Sequence, residues 1–180
     1  MSIVINGNGS IQGISAGGLP DGSVTADDIA SLPAGSVIQV VQGSATSQVV
    51  VTTASYTDTG LSASITPTST SSKILVLVSQ NIYISRNSDG RNTARFRLLR
   101  DATSVFEDQL ASSFIGGLNG LSEMRKGNRN SIIYLDTPST TSAITYKTQG
   151  YPEYIANSGA AYFQITSASP ATITLMEIAA

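Results

Sequence analysis

Cysteine, histidine and tryptophan are absent from this chain, and charge of either sign is scarce. Without cysteine there are no disulfides, no thiolate nucleophile and no redox pair. Without histidine there is no imidazole base, no serine triad of the usual kind and no usual zinc site. Charged residues make up 12% of the 180 positions, about half the usual quarter. They sum to −2 at neutral pH, whereas a phosphate backbone asks for clustered positive charge. No run of eighteen or more apolar residues exists to form a membrane-spanning helix. Met1–Asn6 carries no basic residues and too short an apolar stretch for a secretion signal. Synthesis in a reducing cytosol and release by lysis fit this pattern better than oxidative secretion.

The remaining chemistry is thin. Glu107 and Asp108 are neighbours on one strand, so their side chains point to opposite faces and do not form an acid pair. Asp27 and Asp28 sit where a short helical turn would begin, and balance its dipole. The segment Asn87–Asn92 lacks the spaced carboxylates and closing glutamate of a calcium loop, and Asp89–Gly90 marks it as a turn. No glycine cluster ends in the Lys-Ser/Thr of a phosphate loop. The expectation is a protein that is not an enzyme, with no catalytic residue, metal or cofactor.

What is present is β-forming. Lys73–Ile84 is the longest such run, apolar on both faces: Ile74, Val76, Val78, Ile82 and Ile84 share one, and Leu75, Leu77 and Tyr83 the other. A small antiparallel sheet normally leaves one face wet. With no long helix to supply a second cover, another subunit is expected over Leu75, Leu77 and Tyr83. Further strands are expected at 36–41, 48–53, 61–66, 93–100, 104–110, 130–136, 142–150, 160–166 and 171–178, with a turn at 43–46. The hairpin around 101–103 pairs Leu98 with Phe106 on the core side and Arg97 with Glu107 outside. Nine or ten strands with turn signals at this spacing describe an all-β, antiparallel β-sandwich of the jelly-roll type.

The first 35 residues read differently. Glycines at 7, 9, 13, 17, 18 and 22 interrupt them, and their few apolar residues cannot offset the entropy of folding alone. The domain expectation is therefore an N-terminal attachment arm over 1–35 and a β-sandwich head over 36–180. Ile3, Ile5, Ile11 and Ile14 are the candidate docking residues of the arm. Two features of the head are candidates for recognition: a loop and strand rich in arginine, represented by Arg86 and Arg91, and loop tyrosines, represented by Tyr151 and Tyr154.

Two stretches carry a resemblance. Ile14–Ala30 (ISAGGLPDGSVTADDIA) runs on into Leu32–Val41 (LPAGSVIQVV). Tyr56–Pro67 (YTDTGLSASITP) precedes Ser71–Val76, and Ile173–Ile178 follows at the far end. Together they resemble virion structural proteins of tailed bacteriophages, especially fibre and surface proteins of the cyanophage type. The resemblance implies a homotrimeric jelly-roll knob, similar in shape to the C1q/tumour-necrosis-factor knob, with the arm as its attachment segment. It implies a place on the virion, contact with other virion proteins (tail, baseplate or major capsid protein) and a host surface glycan as receptor, with no nucleic acid and no membrane insertion. The chain has no repeat long enough for a fibre shaft, so a capsid decoration, cement or head-fibre protein that stabilises the shell is the alternative.

Overall fold

The computed structural model describes residues 4–5, 11–12, 32–87, 90–116, 124–164 and 170–180. The chain divides into two units, Met1–Pro33 and Ala34–Ala180. In the first, β1 (Val4–Ile5) and β2 (Ile11–Gln12) form an antiparallel ribbon with Ile5 opposite Ile11. Ile3, Ile14 and the helical turn expected at Asp27 and Asp28 lie outside the described residues.

The second unit is all-β, with no helix among the described residues. Its strands are β3 (Val37–Ala45), β4 (Val49–Val51), β5 (Thr57–Ile65), β6 (Lys73–Arg86), β7 (Gly90–Arg100), β8 (Thr103–Gly116), β9 (Met124–Asp136), β10 (Ile144–Pro152), β11 (Ala160–Phe163) and β12 (Ala171–Ile178). β11 and β12 run in one direction along the same side of β6, with Phe163 opposite Ile82 and Thr172 opposite Ser79. They are one strand line broken between Phe163 and Ala171. β3 and β4 form a second broken line beside it, with Ala45 opposite Ala171 and Val49 opposite Phe163. β9 flanks the other side of β6.

The first sheet therefore reads β3/β4, β11/β12, β6, β9, and the second reads β5, β10, β7, β8. Every pairing is antiparallel. Numbered along the chain as eight strand lines, the orders are 1-8-3-6 and 2-7-4-5. This double winding is a jelly roll, and the unit is an antiparallel β-sandwich.

Alternation decides which residues fill it. Ile74, Val76, Val78, Ile82 and Ile84 of β6 are buried, as are Leu61, Ala63 and Ile65 of β5 and Ile173 and Leu175 of β12. They meet Phe96, Leu98, Tyr146 and Phe163 between the sheets, and Phe96 stacks on Phe163 with ring centroids 6.2 Å apart.

Three local expectations are corrected. Gly43 is no turn residue but lies within β3: a Cβ there would sit 2.1 Å from the Ser62 carbonyl oxygen, so glycine is what lets β3 approach β5. The β7–β8 turn is two residues, Asp101–Ala102, with Arg100 opposite Thr103. Leu98 does face Phe106, although Phe106 is 37% exposed and outside the core, and Arg97 faces Glu107. That second pair forms no ion pair, however, because each side chain finds another partner.

The sandwich has two distinguishable ends. At one, β3 begins and β12 finishes, tied by Gly35 N–H to the Ala179 carbonyl (2.8 Å) and Ala179 N–H to the Ser36 carbonyl (2.9 Å). At the other, β4 passes to β5, β6 to β7, and β10 to β11.

Candidate functional site: two outward faces

The outward face of the first sheet is built by the alternate residues of β6 and their neighbours. Val40, Met176, Leu75 and Leu135 form one row across four strands, and Gln42, Thr174, Leu77 and Ile133 the next. Toward the far end the rows become Ser44, Thr172, Ser79, Ser131, and then Val50, Tyr162, Tyr83, Gly127. Leu75 and Leu77 are half-buried by these neighbours. Val40, Leu135 and Ile133 remain 55%, 53% and 74% exposed. The expected two-faced strand is thus observed, and its outer face is the centre of an apolar stripe.

Ile133, Leu135, Val40 and Met176 were not among the sequence candidates. The signal for the first two was available: Ile132-Ile133-Tyr134-Leu135 is apolar at every position, the pattern used for Lys73–Ile84. Tyr83, by contrast, lies in the distal row, its ring beside Tyr162 in a T-shaped pair with centroids 5.6 Å apart.

The outward face of the second sheet has the opposite character. Asp58, Gln149, Arg97 and Glu107 form a row across all four strands. Gln149 holds both neighbours: its Oε1 accepts from Arg97 Nε (3.0 Å) and Nη2 (2.6 Å), and its Nε2 donates to Asp58 Oδ1 (2.6 Å). Lys147 donates to Asp58 Oδ2 at 3.0 Å. Tyr56, at the mouth of β5, lies across this row. Its hydroxyl donates to Glu107, the Arg97 guanidinium sits 3.8 Å from its ring centroid, and Tyr151 meets it edge to face at 4.7 Å.

The electrostatics follow the contacts. Burial pushes the Tyr56 phenol above its ordinary range, and the Glu107 carboxylate adds to this. Asp58 is raised by burial but held below the usual carboxylate range by its bonds from Gln149 and Lys147. Arg95 pairs with Glu153 at 2.6 Å. Beside Asp58, the β5–β10 register shifts between Lys147 and Gln149, and Gly60 takes φ +82°. This bulge leaves a depression of about 90 Å³ lined by Asp58, Gly60, Leu61, Ser62, Lys147 and Thr148.

The sequence candidates for recognition gather at one end. Arg86 closes β6, Arg91 lies at the start of β7, Tyr151 is near the end of β10 and Tyr154 follows it. Asn87 N–H donates to the Asn157 carbonyl (2.9 Å) and Glu153 N–H to the Thr93 carbonyl (2.7 Å), which joins the two segments. Of the four, Tyr151 stands in the aromatic cluster; the side chain of Arg91 is outside the described part. Tyr146, in the same sequence run, is a core residue whose hydroxyl donates to Asp136 Oδ2 at 2.6 Å. Among the described residues no group of three or more Asp or Glu side chains is placed to hold a metal ion.

No family model matches the sequence, and no curated protein matches it. Solved structures of infectious bursal disease virus share a distant likeness. The virus's T13 viral particle aligns at 14% identity over 79% of this chain and 36% of that one, with a TM-score of 0.38. The VP2 subviral particle aligns at 15% identity over 79% and 38%, TM-score 0.35, and the Gx strain structure at 14% over 81% and 39%, TM-score 0.37. The chain spans less than two-fifths of each of these proteins, and the jelly-roll assignment rests on the strand order above.

Proposed function

We propose that this chain is a phage virion structural protein: a homotrimeric, receptor-contacting knob joined to the particle by its first 35 residues. The observation that carries the reading is the uncharged apolar stripe on the outward face of the first sheet. Val40, Leu75, Leu77, Ile133, Leu135 and Met176 present it without an acid or base among them. Full burial of a Val, Leu, Ile or Met contributes about 1.5–3 kcal/mol each. All six are already partly covered in a single copy, so association gains half of that or less for most of them; the roughly 4–8 kcal/mol per copy that remains is of the order of the roughly 4–15 kcal/mol cost of association. The second sheet, polar outside and with its bases matched by acids or amides, is the face suited to water.

The chain enters the sandwich at the end where Gly35 N–H donates to the Ala179 carbonyl; the β4–β5, β6–β7 and β10–β11 connections lie at the opposite end. The recognition candidates Arg86, Arg91, Tyr151 and Tyr154 gather at that opposite end.

Light scattering on purified protein tests the assembly. The expected mass is three times 18.6 kDa, and a stable monomer at micromolar concentration contradicts the reading. Leu77→Asp should give folded monomers, because Leu77 faces outward, whereas Val76→Asp should unfold the head, because Val76 is buried in the core. Imaging of intact particles carrying a label on this chain then tests the virion placement; label at a tail or fibre tip supports the knob, and label spread over the shell favours the decoration protein.

A further inference from the structure

We propose that the outward face of the second sheet binds an electrically neutral polysaccharide, with Tyr56 and Tyr151 as the stacking platform and Asp58, Gln149 and Arg97 as the hydroxyl-binding row. The inference rests on the reading of the head as an outward-facing knob, and it adds the site and the chemical class of ligand.

Three observations converge. Tyr56 and Tyr151 are both half-exposed and meet edge to face at 4.7 Å, which sets apolar ring surface at the distal end of the sheet. The C–H face of a pyranose packs on such rings, and a tyrosine loses little conformational freedom in doing so. Next to them, Gln149 fixes a carboxylate on one side and a guanidinium on the other. Planar acceptors and donors locked in place before binding match vicinal sugar hydroxyls at a small ordering cost. Asp58 remains exposed beside the depression at Gly60, a volume of about 90 Å³, suited to a ring substituent rather than a whole sugar.

Charge selects the neutral class. The described side chains of this face supply three acids, Asp58, Glu107 and Glu153, and three bases, Arg95, Arg97 and Lys147. Lys147 bonds Asp58, Arg95 bonds Glu153, and Arg97 and Glu107 both engage Tyr56. Among the described side chains of this face, Arg95, Arg97 and Lys147 are thereby matched by acids, so a uronate or phosphate polymer finds no excess positive charge on them. A neutral polyol needs none.

Saturation-transfer NMR on the full chain tests the site, with dextran, mannan and galactan as neutral probes and alginate as the charged one. Signal transfer to at least one neutral polymer and none to alginate is expected, unchanged by added salt because no net charge is neutralised. Tyr151→Ala and Asp58→Asn should each weaken that binding by at least about fivefold while leaving the circular dichroism and the oligomeric mass as in the native chain. Leu77→Asp, which acts on the other sheet, should retain the site in a monomer. Failure of all three neutral polymers, tighter binding of alginate, or unchanged binding in both variants overturns the proposal. The oligomeric mass read from the same samples reports separately on the trimer.

Discussion

At the scale of single residues, the head is held by carboxylates placed where a sandwich normally puts aliphatic side chains. Glu177 lies on the core face of β12 and is fully buried. Its Oε1 accepts from the Thr68 amide and hydroxyl, both at 2.7 Å, and its Oε2 from Gln39 Nε2 at 2.5 Å. Burial alone raises its pKa, but these bonds more than compensate and hold it below the usual carboxylate range. A carboxyl whose folded pKa lies below its unfolded value stabilises the fold above that unfolded value. It loses the contribution as pH falls through the folded one. The melting temperature of the native protein should therefore drop below about pH 4.3, the unfolded value of a glutamate. Glu177→Gln should be less stable at pH 7 by about 1.5–3 kcal/mol, melt lower, and show a flatter acid limb. Parallel acid limbs in thermal scans would assign the effect elsewhere. Asp136 does comparable work between the sheets, accepting Arg100 Nη1 at 2.8 and 3.0 Å and the Tyr146 hydroxyl at 2.6 Å.

At the scale of elements, the close approach of β3 to β5 depends on one missing side chain. A Cβ on Gly43 would lie 2.1 Å from the Ser62 oxygen and 3.0 Å from its carbonyl carbon. Both are backbone atoms that cannot rotate away. Gly43→Ala should cost about 1–3 kcal/mol, measured by urea unfolding, whereas Gly35→Ala meets no atom within 4 Å and is strained only by its φ of +87°. Equal losses would refute the packing argument. The same position shows what was legible in the sequence. Period-two alternation placed β5, β6 and β12 and gave the Leu98–Phe106 register, because each depends on local pattern. Gly43 read as a turn because its reason lies in another sheet, at Ser62, nineteen residues away. Arg97 and Glu107 were placed opposite each other, and they are; the sequence held no sign that Gln149 and Tyr56 would compete for them. Tyr56 itself was missed as a site residue, since its partners come from β7, β8 and β10.

At the scale of the whole molecule, the two sheets divide the work: one carries an apolar stripe across its outside, the other a polar, charge-balanced surface. This asymmetry was only half visible beforehand. The apolar face of β6 was evident, but its extension over β9, β12 and β3 appears only once those strands are laid side by side.

The position of β12 has a consequence for how the protein is made. It sits between β3 and β6, bonding Leu175 to the levels of Val41 and Val76, although it is translated last of the ten head strands. A nascent chain still lacking residues 171–178 has β11 to join β4 to β6 but nothing between β3 and β6, so β3 cannot yet belong to the sheet. Closure of the head must then wait for the ribosome to deliver those residues, and the apolar edges on either side of the gap are open to misassociation until it does. Ribosome-bound chains stalled before Ala171 should be digested throughout the head by added protease, and released full-length chains should resist it. Protection of the stalled chains would mean that the sandwich closes without its keystone.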